Sequence, residues 1–286
     1  MKAIHLHNLE RPHSASAAAT TSSTGTVLLA PTIELLMTST RLKAKRKKDR
    51  LAALPYALEE KLATPVADQH FVTANTMVED DQITVGIVSR KTLIDWLAVA
   101  SHCQIDLSAI VPDVLAIPWS EGDWSLVDDG EQILVRTAID RGFAVDCEQA
   151  AELLHWQLHD LQINSPAAAD SDSSADTPTF QLKGNLRIWR RTKAKTLDAT
   201  DTAKLGRHFQ RGLREEGEFD DRGEFLAKHY LQRADSTPLL NLLTDDYRTT
   251  RGSSSKIKSG WLSAGISFTA VVVYVAALTI DISRAD

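Results

Sequence analysis

WSLVDDGEQILVRTAIDRGFAVD, Trp124 to Asp146, is the stretch from which the fold is read. Its runs Trp124 to Val127, Gln132 to Thr137 and Phe143 to Val145 are short, apolar and parted by turn residues, so they predict an antiparallel meander. Asp129-Gly130 is the hairpin signal: a two-residue type I′ turn needs positive φ at both positions, and Gly accepts it freely. Toward the C-terminus, Glu148 to Ile163 sets Ala150, Leu153, Leu154, Leu158 and Leu161 on one face of a helix. Toward the N-terminus stand an alternating strand, Ile83 to Val88, and an amphipathic helix from Lys91 to about His102. That helix is expected to bury Leu93, Ile94 and Leu97, and Trp96 at the edge of the same face. Strand, helix, meander and helix together predict an α/β layered domain.

Further out, the signals are shorter. Residues 1–26 read as a flexible segment, because HSASAAATTSSTG is small and polar. Val27 to Ala30 and Ile33 to Met37 are apolar runs broken by Pro31. Between Arg41 and Arg50 seven basic residues face only Asp49, which fits a solvated helix face near anionic lipid heads better than a nucleic-acid patch. RLAALPYALEEKL follows, with Leu51, Leu54, Leu58 and Leu62 on one stripe and Pro55 expected to kink the helix or restart it. HFVTAN precedes the Ile83 strand, and IDLSAIVPDVLAIP, punctuated by Pro112 and Pro118, precedes the meander. NSPAAADSDSSADTP, Asn164 to Pro178, is an acidic low-complexity tract that reads as a disordered loop between two lobes. Phe180 to Trp189 then reads as a strand and Gly223 to Gln232 as a helix, while Lys204 to Gly223 gives no clear pattern.

WLSAGISFTAVVVYVAALTI, Trp261 to Ile280, is free of charge and twenty residues long, which at about 1.5 Å per residue spans about 30 Å of hydrocarbon. Arg248, Arg251, Lys256 and Lys258 precede it and only Arg284 follows, so the positive-inside rule keeps the N-terminal part in the cytoplasm. Ser259, Ser263 and Ser267 repeat every four residues and are candidates for a helix-helix contact, including one in a homodimer. The net charge of -6 argues against a dedicated nucleic-acid binder. Cys103 and Cys147 are the only cysteines, too few for a disulfide framework and consistent with a reducing compartment.

Catalytic signatures are hard to find. His155 and His159 share a helix face at a metal-binding spacing, but Trp-Gln-Leu lies between them and no third ligand is implied, so neither a metal nor another cofactor is expected. His102-Cys103 lacks an orienting partner, and the chain has no Gly-x-Ser-x-Gly elbow, Walker loop or Gly-x-Gly-x-x-Gly turn. Asp128-Asp129-Gly130 could approach a phosphate but lacks neighbouring Gly and Thr donors, so a plain hairpin is the better reading.

Three blocks carry a resemblance. ALPYALEEKLATPVADQHFV (Ala53 to Val72), AIVPDVLAIPW (Ala109 to Trp119) running into the meander, and PLLNLLTDDYR before a single membrane helix resemble the type II secretion system protein L family. The resemblance implies a degenerate actin-like cytoplasmic domain, related to the division protein FtsA and the pilus protein PilM, that does not hydrolyse nucleotide. It also implies an inner-membrane platform protein that recruits the secretion ATPase, protein E, and pairs with protein M. A membrane-tethered actin-like ATPase is the alternative. Departures are the histidine-rich start, where the family has a strand pair, and Thr244-Asp245-Asp246-Tyr247, where it has Gln-Gly before the acid and the aromatic. The family also has a periplasmic domain after its membrane helix.

The expected organisation is therefore a first lobe at 27–164, the acidic loop at 165–178 and a membrane-proximal second lobe at 179–247. A basic spacer at 248–260, the membrane helix at 261–280 and a short periplasmic tail at 281–286 complete it. Phe225, Tyr230, Leu231 and Arg233 in the second lobe are the candidate partner contacts, with core packing the competing account of Phe225 and Tyr230.

Overall fold

The computed structural model describes residues 2–6, 25–42, 47–75, 82–163, 181–194, 196–233, 237–244 and 247. The Trp261 to Ile280 stretch, Ser259, Ser263, Ser267 and the tracts at 165–178, 248–260 and 281–286 lie outside the described residues. Among the described residues, no helix is long and apolar enough to cross a membrane.

Three sheets organise residues up to Thr244. The first is all parallel, in the order β1-β2-β6, from β1 (Lys2–His5), β2 (Thr26–Ala30) and β6 (Leu107–Pro112). A second, antiparallel sheet sets β5 (Gln82–Ser89) between β3 (Leu35–Arg41) and β4 (Gln69–Thr73). The third contains the expected meander, β7 (Trp124–Asp128), β8 (Gln132–Arg136) and β9 (Gly142–Asp146), extended beyond β7 by β10 (Leu186–Arg191) and β11 (Leu213–Phe219). Because β10 and β11 add to β7 in parallel, residues on both sides of the acidic tract share one sheet. This corrects the expected division into lobes at 165–178: backbone pairing continues across the point where composition changes.

Five helices cover these sheets among the described residues: α1 (Lys47–Leu58), α2 (Arg90–His102), α3 (Ala150–Ile163), α4 (Ala199–Gly206) and α5 (Arg222–Leu231). Three start on side-chain caps, with Ser89 accepting from Thr92 N at 2.9 Å, Asp198 from Asp201 N at 2.7 Å and Asp221 from Glu224 N at 2.8 Å. α1 lays Leu54 and Leu58 on Val85 and Ile87 and runs on through Pro55 without breaking into two helices. α3 and α4 cover one face of the five-stranded sheet, where Leu154, Leu158 and Leu205 meet Trp124, Leu126, Ile133, Val135, Leu186 and Ile188. Phe209 and Phe143 meet the Trp124 ring edge-on at 5.8 and 6.4 Å.

Several expectations need correction. Lys2–His5 is a strand rather than part of a flexible segment, because Ala3 and His5 are buried beside β2. Ile94 and Leu153 are exposed, so the apolar stripes of α2 and α3 are narrower than the sequence implies, while Trp96 is buried as expected. Of the strand read from Phe180 to Trp189, Phe180 lies outside the described residues, and the strand among the described ones begins at Leu186. The unread stretch from Lys204 to Gly223 contains the end of α4 and all of β11. The hairpin is real but its turn is not type I′: Gly130 has φ +86, while Asp129 is absent from the positive-φ residues. Instead Asp129 Oδ1 accepts from Glu131 N at 2.9 Å and Gln132 N at 2.7 Å, building a longer loop on a side-chain acceptor.

Where β7 and β10 begin side by side, Gly122 and Gly184 cross at positive φ. A Cβ on Gly184 would collide with the Gly122 carbonyl and with Asp123 Oδ1, the atom that accepts from Asn185 N at 2.8 Å. Gly184→Ala is therefore expected to cost about 1–3 kcal/mol, read as a lower urea midpoint at unchanged slope.

Candidate functional site

The C-terminal ends of parallel strands are where α/β folds usually bind ligands. Here β1 ends in His5, β2 is followed by Thr32 and β6 by Asp113, and all three side chains are buried. Asp113 Oδ2 lies 2.9 Å from His5 Nε2, and Asp113 Oδ1 accepts from Thr32 N at 3.0 Å and Thr32 Oγ1 at 2.6 Å. Thr32 Oγ1 in turn accepts from Val114 N at 3.2 Å. Burial pulls the Asp113 carboxyl upward, but His5, then Arg222 and Thr32, outweigh it and hold it below the ordinary carboxylate range. The groups that would otherwise face a ligand thus satisfy one another.

The Asp128-Asp129-Gly130 loop is occupied in the same way. Asp128 Oδ1 accepts from Thr196 Oγ1 at 2.7 Å and Gly130 N at 3.1 Å, with Arg190 3.5 Å from its other oxygen. Asp129 Oδ2 pairs with Arg222. Nearby, burial pushes the Cys147 thiol up, only partly offset by Thr196, and the carboxylates of Asp128, Asp129 and Asp146 add to the rise, so the thiolate is disfavoured. His155 and His159 lie on α3, where His155 meets His208 at 6.2 Å between ring centroids. Among the described residues, no three His, Cys, Asp or Glu side chains are grouped to hold a metal ion.

An open cleft of about 570 Å³ is the candidate site. One wall is the loop from Ala116 to Glu121, including Ile117, Pro118 and Trp119, and Arg136 and Ile139 come from the end of β8 and the turn after it. Arg187 enters from β10, and His229, Gln232 and Arg233 from the last turn of α5 and the residues beyond it. Arg136 is 5% exposed, and its guanidinium donates to the carbonyls of Leu115 at 2.9 Å, Ile117 at 2.7 Å, Ala138 at 3.2 Å and Ile139. Burial, with Arg233 nearby and Asp140 opposing, brings its pKa down to about 9. At neutral pH it remains a cation. Arg187 pairs with Glu216 at 2.7 Å. Burial, with Lys228 and Arg187 nearby, holds His229 below the ordinary histidine range, so the three arginines carry the positive charge of the cleft.

The four residues singled out from sequence separate here. Tyr230 is buried, and Phe225 is half-buried against Phe219 at 4.8 Å, His229 at 4.5 Å and Trp189 at 6.1 Å. Leu231 is exposed. Arg233 joins the cleft with its guanidinium 5.4 Å from the centre of the Tyr230 ring. Trp119, Arg136 and Arg187 were not foreseen as its companions. Each sits in a run that sequence reads as loop or strand, and only the sheet brings them together.

The family model for type II secretion system protein L matches residues 6–204, which includes the loop wall, Arg136 and Arg187 but ends before α5. A type II secretion system protein L from Klebsiella pneumoniae is 34% identical over 131 residues, 46% of this chain and 32% of that protein. One from Dickeya chrysanthemi is 26% identical over 156 residues, 54% of this chain and 39% of that protein. The chain thus spans about a third of the length of these curated relatives. Among solved structures, the cytoplasmic domain of EpsL, an inner membrane component of the type II secretion system of Vibrio cholerae, is similar with a TM-score of 0.55 and 23% identity. That similarity covers 85% of this chain and 83% of the EpsL domain, and it shows a shared mixed α/β fold. With the family model covering well over half of its residues, this chain belongs to the type II secretion system protein L family.

Proposed function

We propose that the chain is an adaptor of the inner-membrane secretion platform, with a degenerate actin-like cytoplasmic domain that recruits the secretion ATPase, protein E, and pairs with protein M. The observation that carries this reading is the family match over residues 6–204. The mutual satisfaction of His5, Thr32 and Asp113 at the parallel strand ends supports a role without nucleotide hydrolysis. The Trp261 to Ile280 stretch, with its basic N-terminal flank, supports a single-pass anchor whose N-terminal side is cytoplasmic. The exposed Leu231 and the half-buried Arg233 are the partner contacts of this reading, while Phe225 and Tyr230 pack beneath them.

The test is capture of the same cell's secretion ATPase by the full chain in detergent, with and without ATP and Mg²⁺. Capture at submicromolar concentration, unaffected by pre-incubating this chain with nucleotide, is the expected result. Tight ATP binding by the chain itself would favour the membrane-tethered actin-like ATPase instead.

A further inference from the structure

The cleft beside α5 combines two features that rarely coexist on a surface facing only water. One is excess cation. Arg136, Arg187 and Arg233 line it against a single lining acid, Glu121, with Glu216 paired to Arg187 from the side. Arg136 is held by carbonyl oxygens, which orient a guanidinium without cancelling its charge. Arg233 makes no ion pair among the described residues. The second feature is an apolar, aromatic wall, Ile117, Pro118, Trp119 and Ile139, of which Ile139 is 46% exposed.

All three guanidiniums stand over rings: Arg136 at 5.8 Å from Trp119, Arg187 at 4.9 Å from Trp189 and Arg233 at 5.4 Å from Tyr230. A ring beneath a guanidinium restricts its position. Arg136 commits its N–H groups to carbonyls and Arg187 its Nε–H to Glu216, so the carboxylate contact falls to Arg233. The Trp119 indole is itself fixed, donating to Asp123 O at 2.8 Å. A pre-oriented set of this kind loses little side-chain freedom on binding.

We infer that this cleft docks an acidic linear segment of a partner protein, placing a carboxylate at Arg233 and a neighbouring apolar side chain on Trp119 and Ile139. A peptide suits the site better than a phosphate. Glu121 within the lining opposes a compact dianion, and the apolar wall would gain nothing from one. The volume of about 570 Å³ also lies inside the range of roughly 300–1,000 Å³ typical of ligand clefts. The assignment takes from the adaptor reading only that the ligand is a protein; it does not require that protein to be the ATPase.

Calorimetry on the full chain in detergent tests this with three probes: a blocked Asp-Leu-Glu-Leu peptide, its Asn-Leu-Gln-Leu counterpart and inorganic phosphate. The acidic peptide is expected to bind with Kd on the order of 0.1–1 mM, to weaken as salt is raised and to shift the Trp119 indole N–H resonance. Arg233→Glu should weaken it by about tenfold or more, while Lys91→Glu, at an exposed position of α2, should leave it unchanged. Equal binding of the amide peptide, phosphate binding as tightly as the acidic peptide, or no response to Arg233→Glu would overturn the inference. Peptide binding is read without the ATPase, so failed capture leaves it standing, and failed peptide binding with capture intact overturns the cleft alone.

Discussion

Asp113→Ala is expected to lower the unfolding free energy by roughly 3–5 kcal/mol, the cost of breaking a buried pair by removing one member. The carboxylate is 1% exposed and joins three strand ends through His5, Thr32 N and Thr32 Oγ1. Without it those donors lose a buried charged acceptor. Asp113→Asn keeps the shape and loses the charge, so the two variants separate packing from electrostatics. The pH dependence follows from the direction of the shift. Asp113 titrates below its unfolded value, so its contribution is fully present above the unfolded carboxylate range near pH ~4 and is lost as pH falls through the lower folded value. Urea midpoints measured between neutral pH and pH 3 should therefore fall less steeply for Asp113→Asn than for the native chain. Parallel curves would rule out this carboxylate as a contributor to acid sensitivity.

Leu240→Ala is expected to cost about 2–5 kcal/mol, as for other fully buried leucines. Residues 238–244 form a strap whose Leu240, Leu242 and Leu243 are buried, with the Leu240 side chain filling the space over Gly86. Main-chain bonds hold it at both ends: Asn75 N donates to Leu239 O at 2.7 Å and Leu242 N to Ile110 O at 2.8 Å. Asn241 Oδ1 accepts from Ile110 N and Leu243 N, each at 3.0 Å, and His70 Nε2 lies 3.0 Å from Leu242 O. The strap therefore joins β4, β6 and the face of β5. Chemical denaturation gives the stability loss. Limited proteolysis supplies the local signature, because a loosened strap should be cut before Thr244 sooner than in the native chain, while cutting elsewhere keeps its rate.

Residues with a strong period of their own were legible in the sequence. The meander from Trp124 to Asp146 and the helices at Arg90 and Ala150 have apolar patterns that their sheets preserve. β1 was missed because a strand of four residues containing Lys and His has no apolar period. Its burial comes from a partner for His5 that lies 108 residues away. β11 was missed for the opposite reason: Arg214, Glu215, Glu216 and Glu218 on an edge strand resemble a solvated loop, and only pairing with β10 makes LREEGEF extended. The lobe boundary failed because composition reports which residues avoid a core, not which strands join across the gap. In the cleft, Arg233 and Tyr230 could be singled out from one helix, but Trp119, Arg136 and Arg187 are brought to them by sheet register.

The strap also limits distance. Thr244 is its last described residue, and seventeen residue steps lead from there to Trp261. At about 3.3–3.6 Å per step a taut chain reaches roughly 60 Å. If Trp261 enters the bilayer interface as proposed, the folded domain sweeps a shell no deeper than that, and a captured ATPase would share it. Releasing residues 238–244 would add seven steps, about 25 Å of slack, so the same few leucines that stabilise the fold would set how far from the membrane it can work.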